Sequence, residues 1–175
     1  MKNREIKKYN VLTLIISLFL ALLSGCGISA DLERTNPKKL ARKEAEQIFE
    51  YVKNEDIDSL VELFSEDVKK THNLESEWKD FFDHIDGKVI SYKSISFPGE
   101  GMGVDKDGNI YDSHLSINYS KVKTDKGTVY DQFGYYQTRI NTAHPEKEGI
   151  NLFTVQLIDE NGKKGEFFTV GDYIE

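Results

Sequence analysis

Residues 109–142, NIYDSHLSINYSKVKTDKGTVYDQFGYYQTRINT, decide the fold of this chain. In the first half of the stretch, the apolar residues Leu115, Ile117 and Tyr119 alternate with polar ones, which is the period of a strand with one buried face. Residues 124–127 are a turn signal, and the second half is a strand rich in aromatic side chains. The stretch therefore predicts two long antiparallel strands joined by a short turn.

Segments on both sides extend this sheet. Residues 88–97 predict a preceding strand, which a glycine-rich loop at residues 98–101 would end. Residues 149–159 are more uniformly apolar and predict the central strand of the sheet. The Asn-Gly pair at residues 161–162 is a strong hairpin signal and leads into a last strand over residues 166–170.

Before residue 87, apolar residues recur at helical spacing instead. They predict three amphipathic helices, the first capped by Asn36, the second capped by Asp56, and the third running from Leu74 to Gly87. Ser65 begins a further turn between the second and the third. Helices followed by a run of antiparallel strands predict an α+β fold, with the N-terminal helices packed on the sheet.

The first 26 residues are of a different kind. Four basic residues lie among the first eight, residues 11–23 are almost all apolar, and small residues precede Cys26, the only cysteine of the chain. A run of about thirteen apolar residues is shorter than the roughly 20 that a membrane-spanning helix needs. The pattern therefore predicts a secretory signal peptide.

The residues Leu23-Ser24-Gly25-Cys26 resemble the lipobox of bacterial lipoproteins. This resemblance implies that Cys26 carries lipid with palmitate-type acyl chains and that a peptidase cuts between Gly25 and this lipid-modified Cys26. We therefore predict a signal peptide over residues 1–25, a tether over residues 26–36 and one α+β domain over residues 37–175. The expected location is the extracytoplasmic face of the cell membrane, where the acylated Cys26 is held by membrane lipid.

The charge of the chain bears on its partners. The whole sequence has 23 basic and 30 acidic residues and a net charge of −7. Residues 1–25 hold four of the basic residues and one of the acidic ones, so the remainder has 19 basic and 29 acidic residues and a net charge of −10. Such a surface repels nucleic acid and anionic lipid headgroups, and we expect no nucleic-acid partner.

From about residue 36 onward, the order and length of the elements resemble the cystatin-like, nuclear transport factor 2-like architecture. Residues 136–140 (YQTRI) and 148–150 (EGI) are similar to an uncharacterised family of Gram-positive lipoproteins. The resemblance implies a curved antiparallel sheet that forms a cone with the helices, and it implies no assigned activity. Homodimerisation through an exposed sheet face, common with this architecture, is an open alternative.

Motifs of known chemistry are incomplete in this sequence. Residues 105–109 (DKDGN) begin like a calcium-binding EF-hand loop, but Ile110 stands where that loop needs glycine and Ser116 where it needs glutamate. We therefore predict a plain β-turn there. The four histidines lack the spacing of metal ligands, so we predict no metal site, no cofactor and no catalytic set.

A pocket inside the cone is the remaining candidate site, because aromatic rings with a few polar groups suit small ligands. Its candidate lining residues are Trp78, His114, Tyr119, Tyr135 and Arg139. The predicted function is a non-catalytic binding domain for a small ligand, a peptide or an envelope protein. Two alternatives stay open, namely an isomerase-like or dehydratase-like enzyme that uses the pocket and a structural or immunity-type interaction protein with a filled core.

Overall fold

A computed structural model describes residues 37–158 and 163–173 of the chain. The predicted signal peptide, the tether, the Asn36 cap and the Asn-Gly pair at 161–162 lie outside the described residues. The chain divides into two compact units between Glu44 and Ala45. The described part of the first unit is the beginning of one helix, and all other described elements belong to the second.

The described residues contain four α-helices, which are α1 (Pro37–Asn54), α2 (Ile57–Glu62), α3 (Glu66–Thr71) and α4 (Leu74–His84). The cap predicted at Asp56 is confirmed, and Ser65 is a second cap. The side chain of Asp56 accepts a hydrogen bond from the amide of Ser59, and that of Ser65 accepts one from the amide of Val68. The turn predicted at Ser65 is thus the start of α3.

Six strands follow in one antiparallel sheet, namely β1 (Val89–Ser91), β2 (Ser94–Val104), β3 (Ile110–Thr124), β4 (Val129–Asn141), β5 (Gly149–Ile158) and β6 (Lys164–Gly171). β3, β4, β5 and β6 lie side by side in chain order, while β1 and β2 both pair with β3 at its other edge. A short 3₁₀ helix (Pro145–Lys147) connects β4 to β5. The fold is therefore α+β with an open antiparallel sheet, as the sequence predicted.

Three predictions about the sheet were wrong. The glycine-rich stretch at residues 98–101 is not a loop, because it lies inside β2 and pairs with β3. The strand predicted over residues 88–97 is instead divided between β1 and β2. In addition, β4 rather than β5 is the central strand. On one side of β4 lie β3 and then β1 and β2, which share the edge, and on the other side lie β5 and then β6.

The hydrophobic core lies between α4, the second part of α1 and one face of the sheet. Trp78 of α4 is fully buried, with its ring centroid 5.0 Å from that of Phe153 on β5 and 5.1 Å from that of Phe81. Tyr119 on β3 lies under α1, where its hydroxyl donates a hydrogen bond of 2.7 Å to the carbonyl oxygen of Ala45. Interlocking aromatic rings thus join the helices to the sheet.

The phase of β3 changes at Lys121. From Leu115 to Tyr119 the odd-numbered side chains are buried, whereas beyond Tyr119 the even-numbered Val122 and Thr124 are buried. Lys121 has a positive φ of 52°, a left-handed conformation that costs a non-glycine residue about 1–2 kcal/mol. This local twist directs Lys121 away from the core, into which strict alternation would have placed it.

Candidate functional site: the open face of the sheet

The open face is the side of the sheet opposite α1 and α4. Its central positions are given by strand register, which aligns Ser96 of β2, Asn118 of β3, Gly134 of β4, Thr154 of β5 and Thr169 of β6 across the sheet. None of these side chains is charged. In an acidic chain, this row of hydroxyl and amide groups is a neutral surface suited to hydrogen bonding.

Glycines of β2 make room on this face for side chains of β3. A Cβ atom at Gly101 would lie 2.0 Å from Nε2 of His114, and one at Gly99 would lie 3.1 Å from Oγ of Ser116. The imidazole of His114 therefore lies directly over Gly101. These glycines occur at alternate strand positions, so they permit close side-chain approach rather than a turn of the chain.

One end of the open face carries a cluster of ionisable and aromatic groups. His114 Nδ1 lies 3.4 Å from a carboxylate oxygen of Asp112, and the His114 ring centroid lies 5.8 Å from that of Tyr136. Tyr173, which follows β6, packs on Tyr136 with ring centroids 5.0 Å apart. Burial, the Tyr173 hydroxyl and the Asp112 carboxylate together raise the pKa of Tyr136 to about 12. Tyr136 is therefore a neutral hydrogen-bonding group at physiological pH.

The other end carries basic groups around one carboxylate. Asp131 of β4 accepts hydrogen bonds from the ammonium groups of Lys121 on β3 and Lys164 on β6. These contacts lower the pKa of Asp131 to about 2, and the hydrogen bond from Lys121 has the largest effect. The carboxylate therefore stays ionised, and two lysines share its charge.

Of the five residues predicted to line one pocket, Tyr119 and Tyr135 lie together, with ring centroids 6.2 Å apart, but the five do not form one site. Trp78, Tyr119 and Tyr135 are packed in the core with 0–3 % of their surface exposed. His114 points to the open face, because its neighbour Leu115 on β3 is buried in the core and side chains alternate along a strand. Arg139 lies at an irregularity of the β3–β4 pairing, where no residue of β3 is its register partner. The candidate site is thus a surface of the sheet and not the interior beneath the helices.

Sequence reasoning did not single out Asp112, Tyr136 or the glycines of β2 for this site. The available signal was the spacing of Gly99, Gly101 and Gly103, which matches the two-residue period of a strand. A turn needs no such alternation. Which side chains fill the space above the glycines depends on the register between β2 and β3, which local sequence does not state.

The segment at residues 105–109 is the turn between β2 and β3, as predicted. One carboxylate oxygen of Asp105 accepts hydrogen bonds from the amides of Asp107 and Asn109, and the Asn109 side chain bonds the other oxygen. Within residues 37–158 and 163–173, no three His, Cys, Asp or Glu side chains are grouped so that they could hold a metal ion. No helix in this part of the chain has the length and apolarity to cross a membrane.

Residues 47–160, more than half of the chain, match a family model described as Domain of unknown function (DUF5104). The chain belongs to this family. The DUF5104 match begins within α1 and ends just after β5, so it includes most of the open face. It agrees with the expectation of a family without an assigned activity. No curated protein matches the chain.

Proposed function

We propose that this DUF5104 protein is a lipid-anchored lipoprotein of the extracytoplasmic membrane face and that it binds its partner through the open face. The observation that carries the binding role is the neutral row from Ser96 to Thr169, flanked by an aromatic cluster at one end. Aromatic rings beside hydroxyl and amide groups offer stacking and hydrogen bonds together, which is the usual composition of recognition surfaces. The packed aromatic core beneath the helices favours this surface over an internal pocket.

The packing of the helices on the sheet supports a cystatin-like, nuclear transport factor 2-like arrangement for the domain. N-terminal helices that cover one face of a long-stranded antiparallel sheet are the features on which that assignment rests. The Gram-positive source rests on the similarity of residues 136–140 and 148–150. Fold alone assigns no activity, so the function is argued from the open face.

Replacement of Cys26 with serine is expected to remove the lipid and to block cleavage before residue 26, so that any chain that is still processed is released from the membrane. Two acyl chains hold a protein stably, since each buried methylene contributes about 0.8 kcal/mol, and serine lacks the thiol that would carry them. Membrane fractionation with mass spectrometry of the N-terminus measures both anchoring and processing. Ser29→Ala, three residues later, is the matched control and should stay on the membrane. A Cys26→Ser protein that is processed and still partitions with the membrane contradicts the anchor.

Photo-cross-linking tests the binding surface. A photoreactive residue at Ser96 or Thr169, both exposed on the open face, is expected to form adducts in living cells of the source organism. The same residue at Glu46, exposed on α1, is the control and should form few. Mass spectrometry of the recovered protein detects small-molecule and protein adducts alike. Equal adduct yields at the three positions, or none from the open face, would overturn the assignment.

The enzyme alternative rests on the Asp112–His114–Tyr136 cluster. A histidine beside a carboxylate and a tyrosine has the groups for proton transfer. However, the His114 and Asp112 side chains are 39 % and 37 % exposed, so water reaches both, whereas catalytic electrostatics gain strength from water exclusion. The cluster therefore favours recognition over catalysis.

A further inference from the structure

A hollow of about 370 Å³ lies where β1 gives way to β2, lined by Ser91, Tyr92, Lys93, Lys121, Lys123 and Val129. Ser91 and Val129 are both register partners of Lys123, so the three share one side of the sheet. That side is the open face, because the alternating neighbours Val122 and Tyr130 are buried in the core. The hollow thus lies at the edge of the sheet, at the end away from His114, with Lys123 and Val129 on its open-face side and the Tyr92 ring on its core side.

The charge of this hollow is opposite to that of the chain. Three of its six lining residues are lysines and none is acidic, although the chain has a net charge of −7. Within the described residues, the ammonium groups of Lys93 and Lys123 form no ion pair with a carboxylate. Only Lys121 is paired, with Asp131, and that carboxylate is shared with Lys164. The hollow therefore keeps a positive charge that a bound anion would neutralise.

The backbone strain of β3 falls at this same place. Lys121 is the left-handed residue of the strand, and its conformation moves its side chain from the core to the rim of the hollow. Strained residues persist where the surrounding structure holds them and are frequent at ligand sites. Without the change of phase, regular alternation would place both Lys121 and Lys123 on the core side with Tyr119, so the change brings both lysines to the open face.

The remaining lining indicates the rest of the ligand. Tyr92 is held in position by ring contacts with Phe49 and Tyr119, at centroid distances of 4.5 and 5.5 Å. Together with Val129 it gives the hollow an apolar wall. Lysine ammonium groups act as point charges that suit phosphate, and a volume of about 370 Å³ is at the lower end of ligand pockets, larger than one phosphate group.

We propose that this hollow binds an organic phosphate, with the phosphate group between Lys93, Lys121 and Lys123 and the organic part against Tyr92 and Val129. The same group occurs on small soluble molecules and on phospholipid headgroups. This proposal rests on the proposed function in that both assign binding to the open face. The residues of the hollow are different from those of the row from Ser96 to Thr169, so the two proposals can be tested separately.

Calorimetric titration of the full chain in neutral detergent with glycerol 3-phosphate tests this site. Glycerol is the uncharged probe and is expected not to bind. Lys93→Gln and Lys123→Gln should each weaken glycerol 3-phosphate binding by about fivefold, the effect of losing one partly screened charge. Lys106→Gln removes the same charge from the exposed β2–β3 turn and should leave binding unchanged. Absence of binding, or equal weakening by Lys106→Gln, would overturn the site.

Vesicles distinguish the two sources of phosphate. If the ligand is a lipid headgroup, the processed chain, which is residues 26–175 with Cys26→Ser and lacks the basic and apolar signal segment, should sediment with phosphatidylglycerol vesicles but not with phosphatidylcholine vesicles, and Lys123→Gln should reduce this. If it is a soluble molecule, glycerol 3-phosphate binds and neither vesicle retains the chain. Phosphate binding without cross-links from Ser96 or Thr169 would contradict only the proposed function. Cross-links without phosphate binding would contradict only the phosphate site.

Discussion

Replacement of Trp78 with alanine is expected to lower the free energy of unfolding by about 3–5 kcal/mol, as large aromatic truncations in cores do. Trp78 is fully buried, and its ring packs against the rings of Phe64, Phe81, Phe82 and Phe153. Alanine would leave a cavity where α4 meets β5, which the surrounding rings could fill only in part. Denaturant unfolding followed by far-ultraviolet circular dichroism measures the loss.

Trp78→Phe is the matched control for this prediction. Among the described residues, Nε1 of Trp78 has no hydrogen-bond acceptor, although it is buried. Phenylalanine keeps most of the ring contacts and removes the unpaired N–H, whose burial itself costs about 1–3 kcal/mol. We therefore expect Trp78→Phe to lower the free energy of unfolding by less than half as much as Trp78→Ala does. Equal losses would show that the indole N–H is satisfied and that its bond matters.

Replacement of Gly149 with alanine is expected to cost about 2–5 kcal/mol, the sum of backbone strain and overpacking. Gly149 has a φ of +130°, and a Cβ atom there would lie 2.6 Å from the amide nitrogen of Ser65. The obstacle is backbone and cannot rotate away. It is also the segment that hydrogen-bonds Ile150, through Ser65 N to Ile150 O at 2.9 Å and Ile150 N to Leu63 O at 2.8 Å. Moving it would break the junction between the helices and β5.

Gly108→Ala separates the two causes. Gly108 also has a positive φ, of 86°, but nothing lies within 4 Å of the position that its Cβ atom would occupy. The Gly108→Ala variant should therefore lose only the free energy of unfolding that comes from backbone conformation, about 1–2 kcal/mol, in the same experiment. If Gly149→Ala were no more destabilising than Gly108→Ala, the close approach of Ser65 to β5 would be incorrect.

Most of the secondary structure could be predicted because its signals are local. The caps at Asp56 and Ser65 bond amides three residues away, and the turn at Asp105 bonds amides within four residues. The phase change of β3 was also present in the sequence, as apolar Tyr119 followed by apolar Val122. The pattern alone does not predict this phase change, because a single break in the alternation of apolar residues also occurs where one buried position simply has a polar residue.

The candidate site could not be predicted in the same way, because its parts come from different strands. His114 lies over Gly101 only through the pairing of β2 with β3, and Lys93 joins Lys123 only because β1 and β2 share one edge of β3. Trp78 and His114 both suit a ligand pocket by residue type, and the sheet separates them. Residue type carries no information on which face is covered.

The sequence by itself determined the α+β class, the order of the helices and strands, and the lipobox on which the proposed membrane location rests. These properties follow from periods and contacts that span a few residues. Only the tertiary structure decided that the glycines of β2 lie beneath His114, that the aromatic residues fill the core, and that three lysines meet in one hollow. The physical reason is register, because pairing between strands fixes neighbours that are distant in sequence.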